Sequence, residues 1–130
     1  MTLPLSSSII NSVGPWHTTQ RSWAQSIYAL EANVNSTPTD LEASFLLGIP
    51  TAGTYSLGFR YWDGTGNDLD VVLDGATVGT VQYKGTGAPL IENFTGVYLT
   101  SGLHGVSVKI GQNRAVQQYA SLDYLVVFRS

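Results

Sequence analysis

From Gly53 to Trp62 the chain reads Gly-Thr-Tyr-Ser-Leu-Gly-Phe-Arg-Tyr-Trp, with Tyr55, Leu57, Phe59 and Tyr61 at every second position. Successive side chains of an extended chain point to opposite faces, so this alternation requires a strand whose aromatic and aliphatic face lies against a core. The same alternation sends Trp62 to the other face, at the mouth of a polar loop, Asp63-Gly64-Thr65-Gly66-Asn67-Asp68. A large aromatic delivered there is a candidate ligand platform.

Period-two patterning extends over most of the chain. Leu41, Ala43, Phe45, Leu47 and Ile49 alternate with smaller or polar residues, and Pro50-Thr51-Ala52-Gly53 turns that segment into the Tyr55 strand. Leu69, Val71 and Leu73 continue the pattern up to Asp74-Gly75, a two-residue hairpin signal because both positions tolerate positive φ. Return strands read at Thr77 to Tyr83, Ile91 to Leu99, His104 to Ile110 and Leu122 to Phe128, with edge strands at Ser6 to Val13 and Ile27 to Ala32. Gly14 to Ser26, holding Trp16, His17, Arg21 and Trp23, has no clean period. No segment sustains helical periodicity, so the expected fold is an all-β jelly-roll sandwich formed by residues 1–130 as one domain.

Composition narrows the function classes. Charged residues are 12% of the chain and the net charge is -3, with no basic run that could neutralise a phosphate backbone. Nucleic acid is therefore a poor partner, and no apolar stretch is long enough to insert in a membrane. Without cysteine there is no thiol nucleophile and no Cys-based zinc site. Met1 to Ile10 lacks the basic start and apolar run of a secretion signal. That pattern suits a domain of a larger parent protein, or a virion component that reaches the outside by another route.

If the strands from Leu41 onward run antiparallel, successive connections fall at alternating ends of the sandwich. One end then gathers Trp62, Asp63, Asn67, Asn113, Gln117, Gln118 and Tyr119, while the other carries mainly turn residues. Among the remaining candidates, His104 is in phase with Val106 and Val108 and reads as a satisfied strand-end histidine. Trp16 and Trp23 read as core or interface residues, and Arg60 as a partner of Asp70 across the sheet. Trp16 and Trp23 also leave a homo-oligomer open.

From Phe45 to Phe128 the successive strings Phe-Leu-Leu-Gly-Ile-Pro-Thr-Ala-Gly-Thr-Tyr, Phe-Arg-Tyr-Trp-Asp-Gly, Val-Val-Leu-Asp-Gly-Ala-Thr-Val, Val-Tyr-Leu-Thr-Ser-Gly-Leu-His and Leu-Asp-Tyr-Leu-Val-Val resemble carbohydrate-binding modules of families 6 and 35. The resemblance implies a galactose-binding-domain-like sandwich with a sugar held between loops at one end. A pyranose packs its C–H face on an aromatic ring, and its hydroxyls require planar donor and acceptor groups around the rim. On this resemblance Asn113, Gln117, Gln118 and Tyr119 line one wall, and Trp62 with Asn67 the other. Trp23 and Tyr28 lie near the place where such modules keep a further stacking aromatic.

The resemblance also implies a structural calcium between acids of the first strand and the Asp of the last. Asp123 matches the second partner, whereas the usual Glu-Ala-Glu opening is absent and Glu31 is the only acid before Asp40. Catalysis has little support: no nucleophile elbow, His-Glu-x-x-His or phosphate loop occurs. Two readings follow. The first is a non-catalytic sugar-binding module acting outside the cell, and the second is an assembly module of a phage tail fibre or baseplate at the virion surface.

Overall fold

The computed structural model describes residues 1–34, 41–64, 68–110 and 118–129. Among them the strands are β1 (Thr2–Pro4), β2 (Ile9–Val13), β3 (His17–Gln20), β4 (Tyr28–Val34), β5 (Glu42–Ile49), β6 (Gly53–Asp63), β7 (Leu69–Leu73), β8 (Ala76–Val81), β9 (Ala88–Leu99), β10 (Gly102–Ile110) and β11 (Gln118–Arg129). A single helical turn, α1 (Leu5–Ser8), places Leu5 in the core. No helix among the described residues is long and apolar enough to cross a membrane.

All pairings are antiparallel and form two sheets. One has the order β3-β4-β11-β6-β9, with β1 also pairing β11, and the other has the order β2-β5-β10-β7-β8. The alternation read from the sequence sets the inner faces. Tyr55, Leu57, Phe59 and Tyr61 from β6 and Leu122, Leu125 and Val127 from β11 meet Phe45, Leu47 and Ile49 from β5, Val71 from β7 and Val106 and Val108 from β10. Each large apolar side chain so buried stabilises the sandwich by roughly 1.5–3 kcal/mol relative to exposure. The open edge between the sheets is sealed by Phe94 of β9. Its ring lies where a Cβ on Gly79 of β8 would overlap it, and it meets Phe59 edge-on at 6.2 Å.

Strand β11 changes partner along its length. Gln118 to Leu122 pair with β4, and Tyr124 to Val126 pair with β1 on the same side. The register with β6 shifts between Leu122 and Tyr124. An extra residue there lets Leu122 and Leu125 both face the core, and it turns Asp123 to the outer face at the gap between β4 and β1.

The far end of the second sheet is clamped by His104. Asp74 and Gly75 take φ of 49° and 85°, as the sequence signal requires. Nδ1 of His104 lies 2.6 Å from Asp74 Oδ2, and Nε2 lies 2.7 Å from the Thr100 carbonyl. Asp74 Oδ1 also accepts from the Gly105 N–H at 2.9 Å. Both ring nitrogens face acceptors, so the imidazolium satisfies the site best. The Asp74 contact, the Thr100 carbonyl and the Asp74 charge together raise the pKa of His104 from its ordinary 6.5, against the effect of burial. The Asp74 pKa is lowered, chiefly by His104.

A raised histidine pKa contributes stability that is fully present below the unfolded value and is lost as pH rises through the folded one. The depressed Asp74 contribution is present above the ordinary carboxylate range and is lost as pH falls through its folded value. His104→Asn is therefore expected to lower stability by about 2 kcal/mol in mildly acidic buffer. Thermal melts across neutral pH should also show the wild type converging on the variant as the medium becomes alkaline. A constant gap would exclude titration of His104 as the cause.

Candidate functional site

The irregular segment 21–27 folds back across the outer face of the first sheet, and this return makes the site. Its own bonds shape it: the Arg21 N–H donates to the Ile27 carbonyl at 2.9 Å, and the Ile27 N–H donates to the Ala24 carbonyl at 3.1 Å. Ile27 takes φ of 74°, a left-handed geometry that costs a β-branched residue on the order of 1–2 kcal/mol. The sheet below holds the segment in this conformation. Asp123, fully buried, accepts from the N–H groups of Gln25 (2.8 Å) and Ser26 (3.2 Å) and from the Ser26 hydroxyl (2.5 Å). Arg60 of β6 donates through Nη1 to Asp123 Oδ2 at 2.6 Å and to the Trp23 carbonyl at 2.7 Å.

Held this way, Trp23 meets Trp62. Their ring centroids are 5.6 Å apart, the planes are tilted by 43°, and the Arg60 guanidinium carbon lies 5.7 Å from the Trp23 ring centre. Both indoles are half-buried, and with Gln20, Arg21 and Ser22 they line a cleft of about 400 Å³. Gly64 keeps the pyrrole edge of Trp62 open, since a Cβ there would stand 3.2 Å from Cδ1. The cleft thus offers aromatic faces with an amide, a guanidinium and a hydroxyl at the rim.

A second buried carboxylate lies on the outer face of the same sheet. Glu31 of β4, directly opposite Ser121 of β11, accepts from Arg21 Nε at 2.8 Å, Arg21 Nη2 at 2.7 Å and Ser121 Oγ at 2.7 Å. Burial alone would raise the pKa of Glu31, but the Arg21 and Ser121 hydrogen bonds and the Arg21 charge lower it. For Asp123, burial is likewise outweighed by the donors from Ser26, Gln25 and Arg60. Both acids are therefore carboxylates at neutral pH, each paired with an arginine.

The structure redistributes the residues expected from sequence. Trp62 leaves the core face as its alternation requires, but it packs on Trp23 over the outer face of the sheet. Asp63, expected among the ligand-binding residues, has its carboxylate oxygens turned to the chain's own donors. It is buried at the end of β6 and accepts from the Lys84 N–H (2.6 Å), the Thr86 N–H (2.8 Å) and the Thr86 hydroxyl (2.7 Å), which pins the 84–87 loop. Burial pushes its pKa up, but Thr86, Lys84 and Gly85 donors bring it down to about 2.

Tyr28 is exposed at the start of β4, opposite Gln20, and outside the cleft lining. Asn67, Asn113 and Gln117 lie outside the described residues. Gln118 and Tyr119 open β11, with their backbones paired to Val34 and Asn33. Arg60 pairs with Asp123 instead of Asp70, because Asp70 lies on the other sheet, where it accepts from Thr80. Trp16 packs against the core as expected, whereas Trp23 is a cleft residue. Sequence reading missed Gln20, Arg21 and Ser22, and its one pointer to this segment was the aromatic pair Trp23 and Tyr28.

A structural calcium requires six to eight oxygen ligands left bare for the cation. The oxygens of Glu31 and Asp123 face N–H and O–H donors instead. Among the described residues, no group of three or more His, Asp or Glu side chains is placed to hold a metal ion.

No family profile matches the sequence, and no curated protein matches it. Solved structures do match over nearly the whole chain. A family 35 carbohydrate-binding module from an environmental isolate aligns with a TM-score of 0.73 at 15% identity, covering 98% of this chain and 92% of that one. The family 35 module of Clostridium thermocellum aligns with a TM-score of 0.72 at 18% identity, covering 100% and 98%. A family 36 module, solved in complex with calcium and xylotriose, aligns at 0.68 and 14%, covering 98% and 99%. The fold is that of the carbohydrate-binding modules of the family 6 and 35 type, an all-β jelly-roll sandwich. These neighbours lend no support to the tail-fibre alternative.

Proposed function

We propose that this chain is a non-catalytic carbohydrate-binding module that takes a glycan or polysaccharide segment in the Trp23–Trp62 cleft, in an extracellular setting and as part of a larger protein. The observation that carries this reading is the tilted indole pair, with Gln20, Arg21 and Ser22 at its rim. An indole face accepts the C–H face of a pyranose, and the rim groups can exchange hydrogen bonds with its hydroxyls. Non-catalysis is supported by the acids nearest the cleft. Glycoside hydrolysis uses two carboxyl groups flanking the scissile bond, one of them with a raised pKa. Here Glu31 and Asp123 are buried, committed to arginines and held in the charged form.

The neighbours' named ligands point the same way, since the family 36 module binds xylotriose. A broad glycan and polysaccharide array with the purified chain tests the reading. Binding to a defined class of neutral sugar polymer is expected, and silence on a wide array with folded protein would overturn it.

A further inference from the structure

We propose that Arg21 and Arg60 take the place of a structural calcium in this sandwich, so that the domain folds and presents its cleft without a metal ion. Asp123 on β11 is the last-strand acid that the family resemblance sets against a calcium; β1, the first strand, carries no acid, and the other buried carboxylate paired with an arginine in this sheet is Glu31 on β4. These two buried carboxylates carry two negative charges, and two guanidinium groups supply the matching positive charge. Their geometry is specific. Arg21 binds Glu31 through two nitrogens at 2.8 and 2.7 Å, one to each carboxylate oxygen, a bidentate pairing suited to the planar guanidinium. Arg60 reaches Asp123 at 2.6 Å and is itself 14% exposed in its side chain, so the pair is shielded from water.

The remaining acceptor capacity of Asp123 goes to the N–H groups of Gln25 and Ser26 and to the Ser26 hydroxyl, and Glu31 also binds Ser121. A cation entering this place would have to displace hydrogen donors that the fold itself delivers. The arginines also do what a point charge could not. Arg60 holds the Trp23 carbonyl at 2.7 Å and lies against the Trp23 ring, while Arg21 forms part of the cleft wall. The same groups that neutralise the acids thereby fix the segment that carries Trp23. Metal independence of the fold holds whatever ligand the cleft takes.

Calorimetric melting of the purified full chain, in chelator and in excess calcium chloride, tests it. The melting temperature is expected to be the same in both. Arg60→Gln is expected to lower it by about 10 °C or more, because the Asp123 charge stays buried without its partner. Adding Asp123→Asn to that variant should recover part of the loss. A melting temperature that falls in chelator or rises in calcium would overturn the proposal, as would Arg60→Gln melting like the wild type. The chelator comparison needs no variant, so it decides the matter even if Arg60→Gln does not fold.

Discussion

Trp62→Ala and Trp23→Ala are each expected to weaken glycan binding by about 30-fold or more, a loss of about 2 kcal/mol typical of an aromatic anchor at the centre of a contact. The effect should appear in isothermal titration with whichever ligand the array identifies, while both variants keep a cooperative melt. Each indole holds the other at 5.6 Å, so the double variant should lose less than the sum of the two single losses. Wild-type affinity in both single variants would remove the cleft from consideration. Tyr119→Ala, measured in parallel, separates this cleft from the loop-end site that the sequence pointed to.

Asp63→Ala should be the most damaging polar substitution outside the arginine pairs, costing on the order of 3 kcal/mol. It would leave the Lys84 and Thr86 N–H groups and the Thr86 hydroxyl without the buried acceptor that ties the 84–87 loop to β6. Chemical denaturation of the variant checks the size of the effect. The pH dependence gives an independent check. A carboxylate whose pKa is depressed to about 2 contributes stability above its ordinary 3.8 and loses it as pH falls toward the folded value. The wild type should therefore lose part of its advantage over Asp63→Ala between those two values, and an unchanged advantage would assign the effect to packing alone.

The two sheets were legible wherever a strand has one buried and one exposed face. Tyr55 to Tyr61 announce their orientation, and Asp74-Gly75 announces its turn, because period and φ preference are local properties. β3 was illegible because three of its four residues are exposed and its position comes from pairing with β4. α1 was illegible because Leu-Ser-Ser-Ser is too short to display a helical period. At the site, alternation sent Trp62 away from the core, but nothing nearby in sequence disclosed its partner. Trp23 arrives there because Gln25 and Ser26 bind Asp123, nearly a hundred residues later. Arg60 was matched to the wrong acid for a related reason: strand spacing along the chain does not say which sheet each strand joins. Asp63 looked like a loop residue offering a carboxylate, and only the returning 84–87 loop reveals that the carboxylate is already used.

Strand β11 joins β4, β1 and β6, which places the last strand of this chain in the middle of its sheet. During synthesis, β1, β4 and β6 must wait with unpaired edges until residues 118–129 emerge. The pairings of β11 with β4, β1 and β6, which join β3-β4 to β6-β9, are therefore late, long-range events, and topologies of that kind fold in milliseconds to seconds instead of microseconds. In that interval the nascent chain exposes the strand edges most prone to pairing with neighbouring chains.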